Sequence, residues 1–337
     1  MKRISLLLSF LLLLTCKSNK IILETVDTYR IAFYNVENLF DCEDNPQTLD
    51  DEFTPTGRNE WTNKRYEKKL GQINRVISGM DYPAIIGLSE VENSKVLADL
   101  CNELTKNSGI SYGFKHFDSP DKRGIDCALL YRKKQFHSLA IDYIRIPFPE
   151  AISGEVDYTS RDILYVKGLI HKSDTLHCFV NHWPSRRGGL AKSEPRRMHV
   201  ARYLKRYADS LFSINPNANL ILMGDFNDEP DNRSITEILN TRSSSPSFYN
   251  LMDSLDRAQK GSYNYRGNWN MLDQFLVSPN LMQEKGLSAS GGNIFDPEWL
   301  CFKHPRFGRS PNRTYGGPNY YGGFSDHFAI FFDLTAN

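Results

Sequence analysis

Apolar runs that stop on an acid, an amide or an imidazole constrain this chain more than any other feature. The clearest is Leu220–Asn227, LILMGDFN: Leu220–Met223 has the make-up of a buried strand, Gly224 breaks it, and Asp225 and Asn227 follow at once. A strand ending this way can build a phosphate or metal site on a rigid edge. A lone copy reads equally well as a strand followed by an Asx turn. Repetition shifts the balance. Tyr29–Tyr34 runs into Asn35, Ala84–Leu88 into Glu90, and Thr175–Asn181 into His182. Asp273 lies in the strand-like Leu272–Val277, and Asp326-His327 lead into Phe328–Leu334. In one sheet architecture such ends converge on a single rim, where ligands sit.

Helical spacing falls between these runs. Tyr66, Leu70, Ile73 and Ile77 predict a helix over Trp61–Ser78, stopped by Gly79. Val96, Leu97, Leu100 and Leu104 share a face behind a cap at Asn93 or Ser94. Val200, Leu204, Tyr207 and Leu211 form a third stripe, opened by Ser193-Glu194-Pro195. Strands interleaved with helices give the α/β class. Pro297–Phe324, rich in aromatics, Gly, Pro and Arg, is too long for a simple connection. It either covers the core edge or forms a substrate-binding loop, and its rings suit base stacking.

The polar set suits a hard divalent cation, Mg²⁺ first, with Mn²⁺ or Ca²⁺ as alternatives. Glu90 is the leading ligand, with Asn35 and Asp326 nearby or acting through water. His182 and His327, each with a carboxylate neighbour, suit proton transfer and charge stabilisation. The formal charge is +1 over 337 residues, so no global field draws in nucleic acid. A local patch must serve, and Arg186 and Arg187, followed by Gly188-Gly189, suit phosphate contact or simply solvate a loop. Glu37 and Glu92 read as exposed cap or loop residues, and the remaining histidines as structural or surface groups.

The first residues form a different unit. Lys2 and Arg3 precede the apolar Ile4–Leu14, and Leu13-Leu14-Thr15-Cys16 resembles a bacterial lipobox. Residues 1–16 are therefore expected to be a signal peptide, with Cys16 lipidated and the chain exported to a membrane surface; plain secretion is the alternative. Residues 17–28 read as a tether, and 29–335 as one domain. Cys42, Cys101, Cys127, Cys178 and Cys301 show no metal spacing. Cys127 and Cys178 sit in strand patterns as buried thiols.

Taken in order, Tyr34-Asn35-Val36-Glu37-Asn38-Leu39, Ser89-Glu90-Val91, Asn181-His182-Trp183, Gly224-Asp225-Phe226-Asn227, Leu272-Asp273-Gln274-Phe275 and Ser325-Asp326-His327 resemble the endonuclease/exonuclease/phosphatase superfamily, the deoxyribonuclease I-like metallohydrolases. The resemblance implies a four-layer α/β/β/α sandwich of two packed mixed sheets flanked by helices. It implies metal binding at Glu90 with Asn35, transition-state stabilisation by His182, and placement of water and phosphate by Asp225 and Asn227. Asp326 and His327 match the terminal dyad, Asp273 orients His327, and Asp126 matches a supporting group beside the catalytic histidine. The implied reaction is in-line attack of water on phosphorus, with Asp225 or the His327–Asp273 pair as base. A monomeric, exported phosphodiesterase or endonuclease acting on DNA or RNA is expected. The alternatives are a phosphatase or phosphodiesterase for a lipid headgroup, nucleotide or sugar phosphate, and a non-catalytic binding lipoprotein.

Overall fold

The computed structural model describes residues 27–171 and 174–336. The expected signal peptide with Cys16, most of the tether, and Lys172-Ser173 lie outside them.

Strand pairing follows from apolar runs that need partners on both faces. In the first sheet, β1 (Asp27–Leu39) and β2 (Ile85–Val91) run parallel at the centre. β3 (Tyr112–His116) and β4 (Asp126–Arg132) extend it antiparallel on one side. The last strand, Ala329–Ala336, pairs antiparallel with β1 on the other side and is edged by Leu287–Ala289 and Asn293–Phe295. The second sheet runs from β5 (Phe136–Ile144) through β6 (Ile163–Ile170), β7 (Asp174–His182) and β8 (Asn219–Asp225) to Asp273–Val277 and Tyr249–Asn250. Here β7 and β8 are the parallel pair.

Side-chain alternation separates the layers. Ile31 and Phe33 of β1 meet Val180, Met223 and Phe275 between the sheets. Ala32, Tyr34 and Val36 turn the other way, onto Ile73 and Ile77 of α1 (Asn63–Gly79) and Leu97 and Leu104 of α2 (Ser94–Ser108). The outer face of the second sheet, Phe179, Leu220 and Leu222, packs on Val200, Ala201 and Leu204 of a long helix, Leu190–Ile214. Three apolar interfaces make four layers, α/β/β/α, as the resemblance implies. The sheets approach closely at Gly87, where a Cβ would lie 2.6 Å from Met223 Sδ. Among the described residues no helix is long and apolar enough to cross a membrane.

Several local expectations change. The Asn93 cap is present, its Oδ1 accepting from the amides of Lys95 at 2.9 Å and Val96 at 3.1 Å. The long helix begins at Leu190, not Ser193; Gly188 and Gly189, with φ of 85° and 106°, turn the chain earlier. Pro195 then lies inside the helix, and Ser193 bonds back to the Gly189 carbonyl instead of capping. Pro297–Phe324 covers the core edge and also presents exposed rings. Leu300, Tyr315 and Tyr320 cover the core edge, while Phe302 and Tyr321 stay exposed on two small hairpins. All five described cysteines are free, with Cys127 and Cys178 buried.

Candidate active site

The two parallel pairs decide where the polar residues go. β1, β2, β7 and β8 all bring their C-terminal ends to one rim, and the antiparallel Asp273–Val277 and Ala329–Ala336 start there. Asn35 stands opposite Ser89, His182 opposite Asp225, and Asp225 opposite Asp273. The backbone enters the left-handed region at Glu37, Asn38 and Glu90, in a bulge between the Asn35–Ser89 and Leu39–Val91 pairs, and at Asn227 just past β8 (φ 50°, 58°, 62° and 50°). Each such residue costs about 1–3 kcal/mol, a strain that gathers at functional sites.

Hydrogen bonds then fix the side chains. The Asn35 amide donates to Asp225 Oδ2 at 3.1 Å and to Glu90 Oε1 at 3.5 Å. The Asn38 amide holds Glu90 Oε2 at 3.0 Å. His182 Nε2 faces both acids, 3.8 Å from Glu90 Oε1 and 3.7 Å from Asp225 Oδ2. The backbone amide of Asn227 donates to Asp225 Oδ1 at 2.9 Å, and its side chain donates to the Trp183 carbonyl at 3.0 Å. Across the site, His327 Nδ1 sits 2.6 Å from Asp273 Oδ2, and Nε2 lies 3.9 Å from Asp225 Oδ2.

Burial and charge set the two imidazoles apart. Burial, helped by Arg161, Arg123 and His327, pushes His182 well below the ordinary histidine value, so it is neutral. Burial opposes the charge on His327 too, but Asp273, Asp225 and Asp326 outweigh it and hold this imidazole well above that value. Asp225 is pushed up to about 7, chiefly by burial, with His327 opposing and Asp273 adding. One neutral histidine, one imidazolium and a carboxyl poised near neutrality suit moving a proton beside a developing negative charge.

Glu90, His182, Asp225, Asn227, Asp326 and His327 line one cleft of about 1140 Å³. Asn35 lies behind Glu90 and Asp225, which its amide bridges, and Asp273 behind His327. Arg186 and Arg187 both border the cleft, but they differ. Arg186 is engaged, its Nε donating to the Asn227 carbonyl at 2.8 Å and its head pairing with Glu229 at 3.5 Å. Arg187 makes no hydrogen bond or ion pair among the described residues. Asp326 shares its carboxylate with Arg313 at 3.0 Å.

Three supporting assignments are corrected. Asp126 does not support His182; it bonds His116 Nε2 at 3.2 Å and the Ser119 amide at 2.9 Å, because β4 pairs with the far side of β2. Glu37 and Glu92 are buried, not exposed. Glu37 accepts from the Thr314 amide at 2.6 Å, and Glu92 from the Asp41 amide at 2.6 Å. Three contributors carry no signal in sequence. Arg161 pins the His182 and Trp183 carbonyls at 3.2 and 2.6 Å, Arg313 bridges Asp326 and Glu37, and the Tyr263 ring lies 4.9 Å from that of His327.

The donor set fits a hard cation: the Glu90, Asp225 and Asp326 carboxylates with no thiolate, while Asn35 turns its NH₂ toward Glu90 and Asp225 and its oxygen to the Glu37 amide. Asp225, Asp273 and His327 also lie close enough to share an ion. However, His327 Nδ1 is already engaged by Asp273 Oδ2, whereas the Glu90 carboxylate, oriented by Asn35 and Asn38, opens onto the cleft.

Comparison with known proteins agrees with this fold. No curated protein sequence matches the chain. Similar solved structures include humanised D. rerio TDP2, with TM-score 0.56 and 12% identity over 91% of this chain and 98% of that one. The human Nocturnin catalytic domain with bound sulfate matches with TM-score 0.54 and 17% identity, over 93% and 97%. A Bacteroides thetaiotaomicron mannosyl-6-phosphatase matches with TM-score 0.56 and 16% identity, over 91% and 99%. Residues 30–336 match the Endonuclease/Exonuclease/phosphatase family, and the chain belongs to it, as a metal-dependent hydrolase of phosphate esters.

Proposed function

We propose that the chain is a phosphodiesterase of the endonuclease type, acting outside the cytoplasm by in-line attack of water on phosphorus. The observation that carries this reading is the convergence of Glu90, His182, Asp225 and His327 on one cleft. The cleft is bordered by Lys122, Arg123 and Arg187 on the one hand and by Tyr263 and Tyr265 on the other. Cations beside rings suit the two ester arms of a nucleic-acid backbone, DNA or RNA.

Glu90, with Asn35 and Asp326 acting nearby or through water, would hold the divalent cation, Mg²⁺ or else Mn²⁺ or Ca²⁺. Bound there, the ion supplies Lewis-acid polarisation of a phosphoryl oxygen. The protein's own groups do the rest. Asp225, fixed by Asn35 and Asn227, takes the proton from the attacking water. Neutral His182 donates from Nε2 to a phosphoryl oxygen, and His327, charged against Asp273, gives its Nε2 proton to the leaving oxygen as the bond from phosphorus to that oxygen breaks. Arg187 contacts a phosphate directly, whereas Arg186 shapes the loop.

A phosphatase acting on a sugar phosphate, nucleotide or lipid headgroup is the second reading, favoured by the likeness to a mannosyl-6-phosphatase. In both readings residues 29–335 form one catalytic unit, monomeric and exported, tethered through 17–28 to a lipidated Cys16 behind the 1–16 signal. The purified protein with Mg²⁺ is tested on plasmid DNA, RNA and phosphate monoesters beside Glu90→Ala and His182→Ala. Nicking that both variants lose supports the first reading. Phosphate release with intact plasmid moves the assignment to the second, and no turnover of any ester refutes both.

A further inference from the structure

A second cavity, of about 790 Å³, adjoins the cleft and shares Tyr263 and Asp326 with it. Its volume is that of a small-molecule site. Five rings line it: Tyr263, Phe302, Phe307, Tyr320 and Tyr321. Two of them are costly to leave in water, for Phe302 is 47% and Tyr321 60% exposed. The others are already backed. Tyr263 rests on His327, Phe307 stacks on His304 at 4.7 Å, and Tyr320 carries the Arg65 guanidinium at 4.2 Å. Backing of this kind fixes ring planes before anything binds.

The segment that forms the wall is anchored from below. The fully buried Lys69 donates to Thr314 Oγ1 at 2.7 Å and to the Phe324 carbonyl at 2.6 Å, while Glu37 accepts from the Thr314 amide. A slot held rigid in this way loses little entropy on binding. Arg266 borders it as a cation beside the rings.

We infer that this cavity is a ring-binding subsite that takes a planar aromatic group joined to the phosphate held in the cleft. The shared chemistry is a flat π-face one ester arm from phosphorus, whether a nucleobase or an aryl group. The inference rests on the hydrolase reading of the adjoining cleft and deepens it.

Titration calorimetry of the full chain with Mg²⁺ tests it, using non-hydrolysable phosphonates: methylphosphonate, benzylphosphonate, cyclohexylmethylphosphonate and adenosine 5′-phosphonate. Benzyl or adenosine phosphonate should bind roughly tenfold more tightly than methylphosphonate, the scale of one stacked ring. The saturated ring should gain clearly less. Phe302→Ala and Tyr321→Ala, both at exposed positions, should each shrink the ratio of ring-bearing to methylphosphonate affinity. Preference for adenosine over benzyl identifies a nucleobase; equal preference identifies any aryl group, and either supports the subsite. Equal binding of cyclohexylmethyl and benzyl compounds, or no advantage over methylphosphonate, overturns it. So does a parallel loss of all affinities in the variants. Failure of the hydrolase reading shows separately, as no turnover of either methyl p-nitrophenyl phosphate or p-nitrophenyl phosphate by the wild type.

Discussion

Replacing Asp273 by asparagine removes one charge from the site and almost no volume. Its Oδ2 lies 2.6 Å from His327 Nδ1, with both side chains buried. An asparagine carbonyl can still accept the Nδ1–H, so the ring keeps its orientation and loses its counter-charge. A hydrogen bond to a charged group contributes about 1.5–3 kcal/mol and a neutral one about 0.5–1.5. The imidazolium therefore loses about 1–1.5 kcal/mol of support, or about one pKa unit. The new NH₂ must occupy the place of Oδ1, which has no partner among the described residues, leaving a buried donor unsatisfied. That adds a stability cost of about 1–3 kcal/mol. Where His327 works as the charged donor, kcat should fall by about 10², the lower range for a positioned proton donor. The imidazolium is the active form below its pKa, and Asp273 raises that pKa. Removing the carboxylate should therefore move the limb where activity fails with rising pH to lower pH, by about one unit. Initial rates on methyl p-nitrophenyl phosphate, measured against pH with a thermal melt of each sample, read all three effects. A folded Asp273→Asn with wild-type kcat and an unmoved limb refutes the role of the charged pair. Loss of rate with no shift of the limb means that Asp273 only positions the ring.

His177 gives a pH effect on stability. Burial, with Lys167 adding, lowers it to about 4, so between 6.5 and about 4 the unfolded chain binds the extra proton. Stability should therefore drop as pH falls through that window, and urea midpoints of His177→Gln should lose this drop. Gly87→Ala puts a Cβ 2.6 Å from Met223 Sδ and should cost about 1–3 kcal/mol in denaturant titration. Met223→Ala in the same chain should recover part of that loss, and a fully additive pair would contradict the close approach of the sheets. Arg187→Ala should raise KM roughly tenfold, the worth of one charge-assisted bond, with little change in melting temperature. Arg186→Ala should lower melting temperature, because it releases the Asn227 carbonyl.

The legible part of this protein is the part that topology forces. A parallel strand pair presents its C-terminal ends to a rim, and an antiparallel neighbour presents its N-terminal end there. Polar residues must then follow the apolar run in β1, β2, β7 and β8. They must open or precede it at Asp273–Val277 and Ala329–Ala336. The sequence shows this asymmetry: Asn35, Glu90, His182 and Asp225 come at or after the end of their runs, and Asp273, Asp326 and His327 come at or before the start. A shift of one residue would move Ile31 and Phe33 from the layer between the sheets to the helix side, so the observed register also sorts the side chains between the two cores. Asp126 satisfied the same local pattern and misled, because β4 pairs on the outer side of β2 and its first residue meets His116 instead.

What escaped the sequence has a common physical origin. Lys69 stands beside Leu70 in a helix and, by type, belongs in water; it is instead fully buried. Its ammonium is tolerable there only because Thr314 Oγ1 and the Phe324 carbonyl, some 250 residues further on, accept its protons. Glu37 likewise looks like a turn residue until the Thr314 and Tyr315 amides are found on its carboxylate. Arg161 and Arg313 are bound by carbonyls and acids from other loops in the same manner. Periodicity reports burial of apolar groups, but a buried charge is specified by distant partners that have no period of their own. For Lys69 and Glu37 those partners belong to one irregular segment, so the two hold that segment against the end of β1 and fix Arg313 and Asp326 at the mouth of the cleft. The same two buried charges therefore link the readable core to the unreadable wall of the site.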